Sequence, residues 1–454
     1  MEIKDLESNL VNGEVKTYVF NVEKPPQMDN VKNTFWKIFP SLLVSLPCLS
    51  FGLMLGWPSP TFPNLLQESA PIKITWDQTA LIAGFLMIGN LFGTTFSWVK
   101  PFGLKYGILV STFPIIIGWL IIWKSFDVIY ILIGRFLIGF GNGYVTPHIS
   151  EYINDSTENV IRLVLLKFTY FFIMLGVCLT YCVGPFLDFR IFSLSAFILS
   201  VIISIILMFI PYSPSELFNL NKPEKGEKRL SCLRPNTDVE SFKNNLENQS
   251  NELGLIDMVK NKYYLKTIPI LLILVIFQQF TGPPPVLVYS NIIFDKFGCH
   301  NPELYAIVYI FFYMISIIFT SFYSHKIHVK YSLLSTCFIS TILMSANAYL
   351  NHFYPQPSWA YVKSLILVIY IFIHTFGMGF IPSIMAPKFF ELNSIKSINR
   401  IQVGLHCICA IVSTKLFQVI ITYHAFYLGF VYLAAIAGFG TIFILMFVPS
   451  EFKK

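Results

Sequence analysis

The chain has 454 residues, of which 55% are hydrophobic and only 13% charged, and its mean hydropathy is +0.63. A water-soluble globule of that composition would carry apolar surface it could not cover, so an ordinary soluble domain is excluded. The formal net charge of +7 invites a nucleic-acid partner, but the basic residues are spread between apolar runs rather than gathered in a patch, and no nucleic-acid partner is expected.

Residues 1–40 are polar, carry Lys4, Lys16, Lys24, Lys32 and Lys37, and lack the apolar core of a cleavable signal, so they read as a cytosolic tail. Apolar runs near the ~20 residues that cross hydrocarbon follow at 41–62, 78–99, 107–124, 127–150, 163–185 and 190–210, giving an N-terminal six-helix half over 41–210. Residues 211–264 then break the rhythm with eight Lys or Arg and eight Asp or Glu, and read as a cytosolic, partly helical central segment. Six more runs, at 266–290, 303–324, 331–350, 362–387, 399–421 and 425–448, make a C-terminal half over 265–448, followed by a short tail at 449–454. The expected fold is an all-α membrane protein of twelve transmembrane helices in two six-helix halves. Its 45 phenylalanines suit lipid-facing helices, and the alternation of a β-barrel is missing.

Charge placement sets the orientation. Among the loops, only Lys73, Lys124, Arg190, Lys296 and Lys363 lie on one side, whereas the other side holds most of the basic residues, eight of them within 222–262. By the positive-inside rule both termini are cytosolic, and the default address is the plasma membrane. Two halves around a central segment are the arrangement of structural repeats, with a solute site near the midplane where they meet.

Charges inside apolar runs each need an account. Arg135 sits about 13 Å into the fourth run at 1.5 Å per residue, so it is expected to face protein. Lys415 is expected to snorkel to the nearer interface. The first run has no Asp or Glu and the others have no mid-membrane carboxylate, which points to passive facilitation rather than ion coupling. Gln278 and Gln279 precede Thr281, Gly282 and three prolines, placing hydrogen-bonding groups on a helix that must break, as cavity-lining helices of carriers do. No P-loop, HExxH or GxSxG is present, so neither an enzyme, a metal site nor a cofactor is expected. The eight cysteines are scattered and read as free thiols.

Taken together, several motifs give the chain a family resemblance. Gly56-Trp57-Pro58-Ser59-Pro60, the GRxxxGxxxG run from Gly134-Arg135 through Gly139 and Gly143, Pro211-Tyr212-Ser213-Pro214, Gln278-Gln279-Phe280-Thr281-Gly282, Gly377 to Pro382 and Val448-Pro449-Ser450-Glu451 occur in that order. In them the chain resembles the sugar porter family of the major facilitator superfamily, its insect facilitated trehalose transporter-like members in particular. The resemblance implies the major facilitator fold and solute contacts at Gln278, Gln279 and Thr281. It places the family's other solute-contacting positions on Tyr170, Pro284 and Ser383, with Lys388 where the family has Glu near span ten. His406 and Tyr170 are expected to reshape the pocket. Glu151 and Arg162 fall where the family's gating Glu and Arg flank the loop between spans four and five.

The resemblance implies a facilitative carrier for a sugar or small polyol, such as trehalose or a hexose, working by alternating access in a lipid bilayer. Two alternatives stay open because Tyr170, Pro284 and Ser383 replace polar partners: a non-transporting sensor or degenerate paralogue, and a carrier of another small organic solute. The solute's identity and the oligomeric state are not fixed by the sequence.

Overall fold

The computed structural model describes residues 38–97, 103–157, 159–234, 238–243, 262–323, 328–382, 385, 390 and 392–449. Ser383, Lys388, residues 1–37, residues 244–261 and the last residues of the chain lie outside the described residues. Among the described residues twelve helices are long and apolar enough to cross a membrane. They are Ile38–Leu65, Trp76–Phe96, Gly103–Trp123, Val128–Ser156, Val164–Phe186, Phe189–Met208, Tyr264–Lys296, Pro302–Thr320, Val329–Phe353, Pro357–Phe376, Ser397–Tyr423 and Phe426–Phe447, numbered below as spans one to twelve.

Polar residues at the ends of apolar runs start several of these helices by satisfying the free N–H groups of a first turn. Thr75 and Gln78 form a reciprocal capping box before span two, Asp127 Oδ1 accepts from Ile129 N at 3.1 Å before span four, and Asp188 Oδ2 accepts from Arg190 N at 3.2 Å before span six.

Spans seven and ten break where polar groups gather, and span one is also divided, at Trp57, into Pro47–Gly56 and Pro58–Leu65. Span seven splits into Lys262–Phe280 and Pro283–Lys296, with Gly282 at φ +133, a conformation open to glycine. The run expected over 362–387 stops being regular helix at Phe376, because Gly377 leaves helical geometry (φ −125, ψ −82) and residues 377–380 form turns. The sequence missed this second break because the residues around the glycines are as apolar as those of an unbroken span.

The halves pack as repeats do. Within the N-terminal half, span four lies against spans two and three, and span one against span five; within the C-terminal half, span nine lies against spans ten and twelve. Glycines set the closest approaches, since a Cβ on Gly89 or Gly93 would land on the carbonyls of Phe136 or Phe140, and one on Gly139 or Gly143 on those of Leu86 or Asn90. In lipid, where hydrophobicity supplies no force between helices, such backbone contact is what holds spans two and four together. Between the halves, span two packs on span eleven, span five on span eight, and Pro58–Leu65 on Pro283–Lys296.

Candidate functional site

The two broken helices meet. Because residues 377–380 have left the helix, the Gly379 carbonyl is free to accept, and Gln278 Nε2 donates to it at 2.6 Å. Tyr370 on span ten donates to the Thr281 carbonyl at 2.7 Å, and Thr281 Oγ1 and His374 Nε2 lie 2.8 Å apart. One residue earlier, Gln279 Nε2 lies 2.8 Å from His406 Nδ1 on span eleven, and Ser413 donates to the Gln279 carbonyl at 3.0 Å. Several polar groups around the kink in span seven thus find partners, whereas the buried side-chain oxygen Gln278 Oε1 has no hydrogen bond among the described residues.

The expected site residues are therefore only partly assembled. Gln278, Gln279, Thr281 and His406 form one connected cluster in the C-terminal half. Tyr170 stands apart on span five, 55% exposed. Pro284 lines a small cavity between the halves together with Arg135. Ser383 and Lys388 lie outside the described residues.

Arg135 faces protein, as its depth requires, and is 1% exposed. Its Nη1 donates to the Met54 carbonyl at 3.3 Å and touches Met54 Sδ at 3.2 Å, and its guanidinium carbon lies 5.6 Å from the Trp57 ring centre. Gly134 beside it packs against the Gly118 carbonyl and Ile122, fixing how close spans three and four come.

Hydrogen bonds between the halves gather at the end of the bundle away from Pro211. Ser59 and Ser290 hydroxyls lie 2.8 Å apart, Tyr181 donates to the Leu287 carbonyl at 2.6 Å, and Thr79 and Tyr289 hydroxyls are 3.0 Å apart. At the rim, Asp77 accepts from Lys415 at 2.8 Å and from Tyr423 at 2.7 Å. Lys415 thus does not simply snorkel: it pairs with an acid of the other half. Asp77 falls just outside the apolar run expected from 78, so the pairing was legible only by matching a lone intramembrane cation with a carboxylate at equal depth. Nearer the midplane, Asn90 Nδ2 reaches Cys407 Sγ at 3.5 Å.

At the Pro211 end a second polar cluster ties elements of the N-terminal half. Tyr152 donates to the Pro211 carbonyl at 2.9 Å, and Ser213 and Ser215 both donate to Asp155 at the end of span four. Glu216 is buried and accepts from the Lys105 amide with both oxygens, at 3.3 and 3.2 Å, at the start of span three. Burial pushes its carboxyl above the ordinary range, with the Lys105 amide opposing. Gly103 sits there at φ +73, and a Cβ on it would strike Glu216 Oε1. Glu151 and Arg162 flank the turn between spans four and five, both half-buried. Sequence reasoning took Pro211-Tyr212-Ser213-Pro214 as a motif and missed Glu216, a buried acid two residues beyond it.

Two six-helix halves that hold each other by hydrogen bonds at one end, one of them carrying a polar cluster over two broken helices, define a membrane carrier of the major facilitator fold. The partially occluded inward-open conformation of the xylose transporter XylE from E. coli superposes with a TM-score of 0.75 at 19% identity, covering 91% of this chain and 98% of that one. The facilitated trehalose transporter Tret1 of Bombyx mori is 25% identical over 484 aligned positions, 100% of this chain and 94% of that protein. The sugar transporter ERD6-like 6 of Arabidopsis thaliana is 25% identical over 370 positions, 78% of this chain and 75% of that protein. Residues 65–453 match the family described as "Sugar (and other) transporter", and the chain belongs to that family. It is a multi-pass membrane transporter and not an enzyme.

Proposed function

We propose that the chain carries a sugar or small polyol, such as trehalose or a hexose, down its gradient by alternating access. The observation that carries this reading is the orphaned Gln278 Oε1 at the helix break. A buried acceptor without a partner costs about 1–3 kcal/mol, and a solute hydroxyl that donates to it removes that cost. Gln279, held by His406, and Thr281 complete the polar wall, and the family resemblance adds Tyr170, Pro284 and Ser383 as further solute contacts. Lys388, Glu151 and Arg162, with Gly134 and Arg135 setting helix approach, belong to the moving parts.

With both termini in the cytosol and the protein in the plasma membrane, the hydrogen-bonded end is the extracellular one and the conformation is inward-facing. Rocking about the paired spans two and eleven, and five and eight, would then exchange access. Lack of a mid-span carboxylate fits passive transport.

Uptake of labelled trehalose and glucose into cells that display the chain at their surface tests this, beside Gln278→Ala/Gln279→Ala. Saturable uptake abolished by the double substitution is the expected result. No uptake of either sugar by a surface-displayed protein sinks the reading.

A further inference from the structure

We infer that Arg135 holds a small monovalent anion of about chloride size in the small cavity between the halves. The guanidinium is 1% exposed, yet its recorded contacts are a carbonyl, a thioether and a ring face, none of which carries a negative charge. Among the described residues its Nε is buried with no hydrogen bond, and so is Nε1 of Trp57, the ring the guanidinium faces. A charge removed from water is tolerated when it is paired and hydrogen-bonded. Here the pairing group is missing among the described residues.

The cavity beside it decides what kind of partner fits. It is lined by Ala83, Gly84 and Arg135 of one half and Pro284, Ala410 and Thr414 of the other, and no carboxylate contributes to its wall. Its volume of about 30 Å³ holds a particle the size of one or two waters. A sugar or the carboxylate of a larger solute cannot enter, whereas a halide can. A water there would satisfy the Nε–H and leave the charge uncompensated; an anion does both. Thr414 and the apolar Ala83, Pro284 and Ala410 complete a weakly polar shell, in which the attraction between ion and guanidinium is less screened than in bulk water.

Because the cavity is walled by both halves, the anion favours the conformation in which they are closed around it. Occupancy therefore couples to alternating access: halide binding shifts the population toward this state by as much as it binds this state better. That coupling is separate from solute recognition at Gln278 and Gln279, and ion binding stands or falls whether or not a sugar is carried.

The test is thermal unfolding of the purified full chain in sodium chloride against sodium gluconate at equal ionic strength. A saturable rise in Tm of about 1–3 °C with chloride is expected from ligand linkage, reproduced by bromide and not by sulfate. Arg135→Gln should abolish the response. Should that variant fail to fold, Ala83→Val, which fills the cavity and leaves the arginine, should abolish it equally. Identical Tm in chloride and gluconate for the unsubstituted protein overturns the proposal and assigns the site to water. A chloride response that survives in either folded variant also overturns it, by placing the ion elsewhere.

Discussion

Lys415 on span eleven reaches 2.8 Å to Asp77 at the start of span two, and the same carboxylate accepts from Tyr423 at 2.7 Å. The pair joins the two halves at the rim, with both side chains about half exposed. Solvent screens most of the attraction in exposed pairs of this kind. Asp77→Asn should therefore shift the balance between closed and open forms at this end by no more than about fivefold. Distances between spin labels at Glu68 and His424 report it; an unchanged distribution shows that the Ser59, Tyr181 and Thr79 contacts alone hold the halves.

Gln279 and His406 are coupled across spans seven and eleven. Removing either leaves a buried group unpaired at about 1–3 kcal/mol, whereas removing both costs less than the sum. Transport affinity measured through the double-mutant cycle of Gln279→Ala and His406→Ala should show that non-additivity. Strict additivity would mean that the 2.8 Å contact is absent in the transporting protein.

Glycine positions divide by what a side chain would meet. Gly139→Val drives a side chain into the Leu86 carbonyl, and overpacking of this kind costs about 1–3 kcal/mol or more. Gly404→Ala places its methyl 3.4 Å from a Leu91 side-chain carbon, an ordinary contact. Size-exclusion profiles and Tm of the two variants should differ sharply, with Gly404→Ala near the parent.

Glu216 supplies a pH signature. Burial raises its carboxyl above 4.5 in the folded chain, so its stabilising contribution is full below 4.5 and is lost as pH rises through the raised value. Glu216→Gln keeps an acceptor for the Lys105 amide and cannot ionise. Its Tm should equal or exceed the parent's near neutrality, and its dependence on pH from about 4.5 upward should be shallower. A steeper slope in the variant would contradict the assignment.

Much of the fold was legible in the sequence. Twelve apolar runs specify twelve spans because hydrocarbon thickness fixes helix length, and the kink after Gln279 is written in Thr281, Gly282 and three prolines whose missing N–H groups cannot continue a helix. Arg135 was placed against protein by depth alone. What the sequence could not supply were meetings between residues far apart in the chain. Gln278 donates to Gly379 because two helices break at the same place, and the second break is hidden among apolar residues. Lys415 finds Asp77 338 residues away, and Glu216 finds the start of span three, only when the spans are set side by side. One-dimensional hydropathy reports where a segment lies in the bilayer. Which face it turns to a neighbour, and so which polar groups are satisfied and which are left open for a ligand, is decided by packing.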